Sequence, residues 1–430
     1  MKKSLFAIAA VTAFAGAAQA QSSVTVYGIL DVGYIGESAR ISNSAGTAAN
    51  GYNNGQLKST RNQFGSSAEQ SSRLGFKGVE DLGGGTSAFF TIELALAPND
   101  QSLNGNKQIA ADKVNGVNPE SGGLTNRQTF VGLKKNGLGQ TAVGTQYTTV
   151  FNSAVATDVG NLNNVAGNVI YSSVAGGNAP DQGNTPAFTA RTSNTLSVKS
   201  DKFAGFTGSA FATLNNKNAT QSSATVGGNT NASGWGIGAD YTLNKFYITA
   251  AYQSLKQLTT NGNTTPFTTG ATGNTPAAWS QAQGNGATSI GGGAYNTTDN
   301  QFYAGATYDF GILKAYAQYV SRKATATASS NYYVKRAAEQ IGVRSFITPT
   351  IEGWASAGLG RYTAMGAGTP TQNFNGWQLG SNYWLSKRTN LYAIYGQTLT
   401  STGSTTSAAG VTTTVSGAVS NYALGVRHTF

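Results

Sequence analysis

The sequence contains no cysteine, a single histidine and few charged residues. Only 10% of its 430 residues are Asp, Glu, Lys or Arg, well below the roughly 25% typical of soluble globular domains. Without cysteine the chain has no disulfide and no thiolate metal site. The only possible imidazole base for a serine hydrolase is His428, which falls on an apolar strand face. The carboxylates are scattered, so the sequence nominates no enzyme, catalytic residue, metal site or cofactor.

Long apolar runs are also missing, except near the start. Met1-Lys2-Lys3 precedes an apolar stretch from Leu5 to Ala18, and Ala18-Gln19-Ala20 fits a small-x-small cleavage site. The stretch is shorter than the roughly 20 residues that span a bilayer as a helix. These features predict a secretory signal peptide over residues 1–20 and one exported domain over residues 21–430.

An exported chain with little charge and no spanning helix has the composition of a transmembrane β-barrel when glycine and aromatic residues are abundant. Here there are 56 Gly, 20 Tyr and 19 Phe. The last residues alternate between an apolar and a small or polar face, as a half-buried strand does. The apolar face carries Tyr422, Leu424, Val426, His428 and Phe430. An open sheet would leave this strand as an exposed edge, whereas a barrel pairs it with the first strand, predicted at residues 24–36.

Similar alternating segments recur along the whole chain, which distinguishes it from a disordered chain of similar composition. They form seven hairpins, at residues 72–96, 127–147, 191–214, 234–255, 301–322, 335–362 and 377–399. With the two terminal strands, the pattern predicts an all-β, antiparallel transmembrane barrel of about 16 strands. Single-chain bacterial barrels have an even number of strands, and the pattern also allows 14 or 18.

Long polar segments connect one hairpin to the next. They are residues 37–71, 97–126, 148–190, 215–233, 256–300, 323–334, 363–376 and 401–416. In bacterial barrels the long loops are extracellular and the tight turns periplasmic. A lone hairpin is too small to fold by itself, so we interpret these segments as loops of one domain and not as linkers between domains.

A barrel of about 16 strands leaves an aqueous channel. If Leu74 and Phe76 face lipid, the positions between them face the channel, because a lipid-facing Arg or Lys at mid-depth costs about 2–4 kcal/mol. Taken singly, each charge could instead be a solvated residue at the rim. The alternation predicts eight pore-lining charges: Asp31, Arg73, Lys77, Glu93, Arg127, Arg191, Lys199 and Lys314.

Several stretches resemble the Gram-negative general-diffusion porins, particularly the betaproteobacterial type. They are Val-Thr-Val-Tyr-Gly at 24–28, Ser-Arg-Leu-Gly-Phe-Lys-Gly-Val-Glu-Asp-Leu at 72–82, Arg-Gln-Thr-Phe-Val-Gly-Leu at 127–133, and residues 240–243, 383–389, 391–396 and 424–430. They occur in family order over the whole exported part. The resemblance implies a 16-stranded, homotrimeric outer-membrane barrel. It also implies that the third long loop, residues 148–190, folds into the pore, where an acidic group faces a cluster of arginines.

Residue by residue, Arg73 and Arg191 match two arginines of that cluster. The third usually lies in Gly-Arg-Gln-Tyr, which here reads Gly144-Thr145-Gln146-Tyr147, and the third loop lacks the usual Pro-x-Phe-Gly. Two acids are available on this loop, Asp158 and Asp181. The resemblance therefore implies a constriction that is present but carries less charge than usual.

The sequence thus predicts a passive, water-filled outer-membrane channel for small hydrophilic solutes and ions. Basic residues outnumber acids among the predicted pore charges, which favours a mild anion preference. The net charge of +11 acts in the same direction. A substrate-specific channel, or a surface barrel or adhesin whose long loops bind an external partner, would also fit the pattern.

Two further interpretations concern partners. Excess basic charge can indicate nucleic-acid binding, but here it is spread over an exported, charge-poor chain, so we expect no nucleic-acid partner. The outer face of the last strand is expected to contact outer-membrane lipid and to serve as the assembly signal. The residues predicted to form this signal are Tyr422, Leu424, Val426 and Phe430.

Overall fold

The strands close into a single antiparallel barrel, which confirms the fold predicted from the alternating segments. The computed structural model describes residues 23–48, 53–98, 125–171, 187–222, 228–259, 271–272, 275–276, 296–327, 330, 333–365, 371–406 and 412–430. The predicted signal peptide, residues 1–20, lies outside the described residues. No helix in the described part of the chain is both long and apolar enough to cross a membrane.

Every predicted hairpin is present, with strands that often extend further than the apolar alternation. The strands are β1 (Ser23–Asn43), β2 (Gln56–Ser66), β3 (Arg73–Gly83), β4 (Thr86–Ala95), β5 (Thr125–Lys135), β6 (Gly139–Tyr147), β7 (Arg191–Ser200), β8 (Phe206–Ala219), β9 (Gly228–Leu243), β10 (Phe246–Thr259), β11 (Ala271–Thr272), β12 (Thr275–Pro276), β13 (Thr297–Asp309), β14 (Lys314–Ala326), β15 (Tyr333–Phe346), β16 (Ile351–Met365), β17 (Gln372–Trp384), β18 (Thr389–Thr406) and β19 (Thr412–Thr429). Strands β11 and β12 pair only with each other, apart from the barrel.

The last strand closes the barrel against the first. β19 pairs with β1 in an antiparallel register that runs from Ile29 opposite Thr429 to Asn43 opposite Val415. Beyond that ladder, Gly28 and Phe430 exchange backbone hydrogen bonds of 3.0 and 3.1 Å. The Phe430 ring covers Gly28, where an added Cβ would lie only 2.3 Å from Phe430 Cζ. A larger residue at position 28 would displace the ring and would also press on the Arg73 carbonyl oxygen, 2.6 Å from the same added Cβ.

The first predicted loop, residues 37–71, was wrong. β1 continues to Asn43, and most of that loop forms β2, which pairs with β1 from Val32 opposite Ser66 to Ser42 opposite Gln56. β3 pairs with the earlier half of β1, so β2 and β3 lie end to end and together count as one of the 16 barrel strands. The apolar alternation stops where these strands rise beyond the bilayer, although their backbone pairing continues.

The short turns lie together at one end of the barrel, called here the turn end, and the long connections lie at the other, called the loop end. The turn between β3 and β4 contains Gly83, Gly84 and Gly85 with φ of +85°, +58° and +72°. Glycine adopts such left-handed conformations at little cost, so this Gly-rich run is a tight turn.

The outer face of the barrel is apolar and the inner face is polar, in keeping with the alternation. Large apolar side chains such as Ile237, Leu379 and Leu424 are exposed on the outside. A row of aromatic pairs follows the outer face towards the loop end: Trp235–Tyr252, Phe302–Tyr319, Trp377–Tyr395 and Tyr34–Tyr422, with ring centroids 5.6, 6.2, 5.3 and 6.1 Å apart. Such rows mark the interface between membrane and water in bacterial barrels.

The described part of the third loop lies inside the barrel. It contains a helix that the sequence analysis did not predict, α1 (Thr149–Thr157). Apolar side chains from the loop, including Val150, Ile170 and Phe188, pack against wall residues such as Tyr303 and Val320. The hydrophobic core of the protein is therefore the layer between this loop and the inner wall.

Candidate functional site

The helix α1 fixes the start of the third loop against the inner wall. The Thr148 hydroxyl caps the helix by accepting a hydrogen bond of 3.2 Å from the Phe151 amide. Ser153 and Thr249 share a hydroxyl–hydroxyl bond of 2.8 Å, which joins the helix to β10. The Thr157 hydroxyl, in the last turn, contacts the Tyr303 hydroxyl of β13 in the same way at 2.5 Å. These bonds hold the helix along the wall and away from the barrel axis.

Buried glutamines of the inner wall hold the irregular part of the loop. Gln340 Oε1 accepts a bond of 3.0 Å from the Val169 amide, and Gln378 Nε2 donates to the Val165 carbonyl at 2.8 Å. An amide side chain both donates and accepts, so it satisfies the backbone of a segment without regular pairing. The glutamine set comprises Gln253, Gln301, Gln318, Gln340 and Gln378.

Two inner-wall arginines also bind the loop backbone. Arg336 donates to the Val169 carbonyl, and Arg344, eight residues further along β15, donates to the Val159 carbonyl. The Arg336 guanidinium lies 4.5 Å from the centroid of the Phe374 ring and is buried. These two cations are therefore used to fasten the loop, and the loop covers Arg336.

The loop reaches the far side of the barrel, next to the closing strands. The Asn164 amide donates to the Ala68 carbonyl at 3.0 Å, and its side chain donates to the Ser67 carbonyl at 2.6 Å. The Ala166 amide donates to Asn421 Oδ1 on β19 at 3.1 Å. The loop contacts therefore extend along the inner wall from β8 to β19, and the wall formed by β3–β7 lies opposite.

Asp158 differs from the role implied by the resemblance, in which a loop acid faces the arginines. Its Oδ1 accepts from the Leu162 amide at 2.8 Å and its Oδ2 from Asn168 Nδ2 at 2.7 Å. The carboxylate is buried within the loop itself and closes residues 160–167, called here the inner segment, into a compact turn. Burial raises the pKa of the Asp158 carboxyl, and the hydrogen bonds that it accepts act in the opposite direction. Asp181 lies outside the described residues.

The opposite wall carries three arginines around one glutamate. Arg127 Nε lies 2.9 Å from Glu93 Oε1, and Arg73 Nη1 lies 3.9 Å from the same oxygen. Arg127 Nη2 also donates to the Tyr147 hydroxyl at 3.0 Å, and the Arg191 guanidinium lies 5.2 Å from the centre of that ring. Arg73, Arg127 and Arg191 are called here the arginine cluster, in which the first two contact the Glu93 carboxylate and Arg191 lies over the Tyr147 ring. Among the described residues, this group contains three cations and one acid.

Aromatic side chains support the arginine cluster. The Tyr27 hydroxyl donates to Glu93 Oε2 at 3.2 Å, and Lys77 Nζ lies 5.4 Å from the centre of the Tyr27 ring. Tyr147 stacks on Phe151 of the third loop with ring centroids 4.2 Å apart. This stack joins the loop to the cationic wall. Lys77 continues the positive charge from the cluster towards the turn end.

Asp31 lies on the inner face of β1 but is fully covered. The segment between β2 and β3 folds over it, and the amides of Glu69 and Gln70 donate to its Oδ2 at 2.9 and 2.7 Å. The Tyr392 hydroxyl donates to its Oδ1 at 2.6 Å. Asp31 is 0% exposed, so its carboxylate holds this segment and has no contact with the channel water.

The remaining predicted pore residues lie outside the arginine cluster. Lys199 is exposed near the end of β7, towards the turn end, and Lys314 begins β14 with its Nζ 5.3 Å from the centre of the Tyr316 ring. Thr145 occupies the position where the resemblance expects a third arginine. In its place Arg127, from the neighbouring strand β5, completes a group of three arginines.

The two sides of the channel differ in charge. On the loop, the exposed side chains of the described residues are uncharged: Asn152, Val155, Ala156 and Asn161. Elsewhere on the inner wall, Arg322 pairs with Asp299 at 3.0 Å and Arg344 with Glu352 at 3.2 Å, and Arg336 is buried beneath the loop. In the arginine cluster, in contrast, the cations outnumber the acids among the residues that the structure describes. A passing anion would therefore be attracted more by the arginine cluster than by the described part of the loop.

Sequence reasoning missed the residues that hold the loop. The glutamine set lies at inner positions of predicted strands, where the alternation predicts only ordinary polar channel lining. An unusual run of inward glutamines could have signalled partners for a backbone segment inside the barrel. Arg336 and Arg344 likewise lie on a predicted strand, but their use as anchors depends on the path of the third loop.

Comparisons with known proteins agree with this architecture. A family model described as Gram-negative porin matches residues 7–403. An outer membrane porin of Bordetella pertussis is 34% identical over 148 residues, which is 34% of each chain. Outer membrane porin protein 32 of Delftia acidovorans is 42% identical over 107 residues, 24% of this chain and 25% of that one. The aligned parts thus span about a third and a quarter of these two relatives.

A solved structure shares the whole fold. The anion-selective porin from Comamonas acidovorans superposes with a TM-score of 0.61 at 19% identity, over 95% of this chain and 100% of the other. At this level of identity the similarity establishes the barrel architecture. The chemistry of the channel has to be inferred from the residues of this chain.

Proposed function

We propose that this chain, which belongs to the Gram-negative porin family, forms a water-filled outer-membrane channel through which small hydrophilic solutes and ions diffuse passively, with a mild preference for anions. The observation that carries the proposal is the arginine cluster, in which Arg73 and Arg127 contact the carboxylate of Glu93 and Arg191 lies beside them over the Tyr147 ring. The channel has no need of an energy source or a cofactor, because solutes move down their own gradients.

The preference for anions follows from electrostatics near the constriction. The interaction energy between two unit charges 4 Å apart is about 1 kcal/mol in water, and it is larger where the walls exclude water. Rings or clusters of charge therefore select ions of the opposite sign. Among the described residues, Arg73, Arg127 and Arg191 surround one carboxylate, that of Glu93, and Lys77 lies nearby, so we propose that these cations together make this wall positive towards solutes. Lys199 and Lys314 are proposed to lie along the same aqueous path as weaker contributors.

A bilayer recording of the unmodified protein tests this function. We expect single-channel currents, and a reversal potential under a KCl gradient that shows anion preference. The preference should fade as salt rises, because the screening length falls from roughly 10 Å at 0.1 M to 3 Å at 1 M. Cation preference at low salt would contradict the proposal. If no channel forms, the alternative of a surface barrel whose loops bind a partner would be favoured.

We also propose that the chain assembles as a homotrimer and that the outer face of its last strand contributes to assembly. The residues involved would be Tyr422, Leu424, Val426 and Phe430, whose side chains lie on the lipid side of the closing strand. Membership of the porin family supports the trimer. The packing of Phe430 on Gly28, at the seam of the barrel, supports the role of the last strand.

The substitution Phe430→Ala tests the seam. It should destabilise closure by about 1–3 kcal/mol, less than the 3–5 kcal/mol lost when a fully buried Phe becomes Ala, because this ring is partly exposed. The measurements are the amount of folded protein in the outer membrane and its resistance to unfolding by heat in detergent. Phe310→Ala removes the same atoms from an exposed turn and should leave both unchanged. Equal effects of the two substitutions would exclude a specific role for Phe430.

A further inference from the structure

The outer face of the barrel carries unbalanced positive charge beyond the aromatic row, towards the loop end. On β14 and β15, Lys323 lies directly opposite Lys335 in the strand register. Like charges at directly opposed positions of a sheet destabilise it. Arg361 of β16 is opposite Ala337, and so lies diagonal to Lys335. Three cations therefore meet on one small area of the outer surface.

Acidic residues do not balance these cations. Within the described residues, Glu339 is the only acid on the outer face of β14–β16. It is opposite Leu359 on β16 and therefore diagonal to Arg361. Along β15 itself, one outward residue, Ala337, separates it from Lys335. Glu339 can therefore offset Arg361, whereas the two lysines retain their repulsion. Lys323 Nζ gains some compensation from the Tyr333 ring, whose centroid is 4.1 Å away.

The position of the lysine pair matches the headgroup region of a membrane. Lys323 is four residues beyond Tyr319, a member of the aromatic row, and four residues of a strand span roughly 13 Å. Below the lysines, the outer wall has a shallow, mostly apolar groove of about 640 Å³, lined in part by Ala337, Leu359 and Leu399, with Glu339 and Arg361 also on its walls. The groove begins next to Lys335, because Ala337 is the following outward residue of β15.

We propose that Lys323 and Lys335 bind the phosphate group of an anionic lipid in the external leaflet, with an acyl chain of that lipid in the groove below. A phosphate monoester carries a charge of about −1.5 to −2 at neutral pH, which matches the two ammonium groups. Its oxygens accept hydrogen bonds from both lysines and remove the repulsion between them. Thr363, opposite Lys335 on β16, places a hydroxyl donor beside the same phosphate.

Native mass spectrometry of the detergent-purified protein tests the site, with lipid A, a diphosphorylated glycolipid, as the probe and phosphatidylcholine as the reference lipid. A Lys near an anionic lipid contributes about 1 kcal/mol, about 5-fold in affinity. The double variant Lys323→Gln, Lys335→Gln should therefore bind lipid A about 30-fold more weakly than the unmodified protein. Its binding of phosphatidylcholine should not change.

Lys256→Gln provides a matched control for Lys335→Gln. Lys256 also lies on the outer face near the loop end, but its register partners are Ser233 and Thr298, which are uncharged. We expect lipid A affinity to fall for Lys335→Gln and to change less than 2-fold for Lys256→Gln. If the two variants lose affinity equally, the attraction is that of any cationic surface and the specific site is excluded. The proposal would also be overturned if inorganic phosphate displaced lipid A at the same concentration at which lipid A itself binds, because the acyl chain in the groove would then add nothing to the affinity.

Thermal unfolding supplies a second, independent readout. In zwitterionic detergent without lipid, Lys335→Gln should raise the unfolding temperature, because it removes the repulsion from Lys323. With saturating lipid A the order should reverse, because only the unmodified protein gains the full stabilisation from a bound ligand. An unfolding temperature for Lys335→Gln that stays above that of the unmodified protein in both conditions would contradict lipid binding at the pair.

Discussion

We expect the double variant Arg73→Ala, Arg191→Ala to lose the anion preference of the channel and to favour cations at low salt. The arginine cluster then retains only Arg127, whose charge is offset by Glu93 at 2.9 Å. The variant thus loses two of the three cations that lie around Glu93 among the described residues. With about 1 kcal/mol per charge at 4 Å in water, the ratio of anion to cation permeability should fall by about 5-fold or more.

The measurement is the reversal potential under a KCl gradient at low and high salt. Arg40→Ala with Lys58→Ala is the matched control, because these residues are opposite each other on the outer face of β1 and β2. It changes the net charge by the same amount but leaves the channel wall intact, so its selectivity should equal that of the unmodified protein. A similar shift in both double variants would mean that the total charge of the protein, and not the arginine cluster, sets the preference.

The second large effect is expected from the third loop. Replacing the inner segment, residues 160–167, by two glycines should raise single-channel conductance by about 1.5-fold, because it removes a layer of chain about 5 Å thick from the wall. Two glycines can bridge the chain ends left by the deletion, because the residues that flank the inner segment lie close together. The side chains of Asp158 and Asn168 are hydrogen-bonded, with Oδ2 and Nδ2 2.7 Å apart. The helix α1 and the anchor between Arg336 and Val169 would remain.

The control for this deletion is Asn161→Gly. Asn161 is exposed and has a φ of +55°, which glycine adopts at little cost, so conductance should stay at the unmodified value. Heat-resistant migration in detergent would verify that the deletion variant has folded. A folded deletion variant with unchanged conductance would show that the inner segment does not narrow the channel.

The barrel could be predicted from sequence because its strands obey a strong local rule. One face meets lipid and the other meets water or the loop, so the alternation is visible along each bilayer-spanning segment, as in residues 422–430. The rule fails where both faces are polar. The first loop was predicted as residues 37–71 for this reason, although β1 and β2 pair well beyond the last lipid-facing aromatic, Tyr34.

The candidate site was predictable in part. Alternation placed Arg73, Arg127 and Arg191 on one face of their strands, and the resemblance associated two of them with a cluster. No sequence pattern indicates that Arg127, on a different strand, takes the place of the arginine absent at position 145. The position of Arg127 beside Glu93 depends on the strand register. The irregularity between Glu93 and Leu94 sets which residues of β4 and β5 are opposite each other.

The amino-acid sequence by itself determined the barrel, its approximate strand number and the residues that face inwards, because each strand buries one face whatever its neighbours are. Only the tertiary structure decided which inward charges act on a solute. Asp31 and Asp158 looked like channel acids, but each is buried beneath or within a chain segment that donates hydrogen bonds to it. The path of those segments depends on backbone contacts made across the barrel, and no local pattern encodes such contacts.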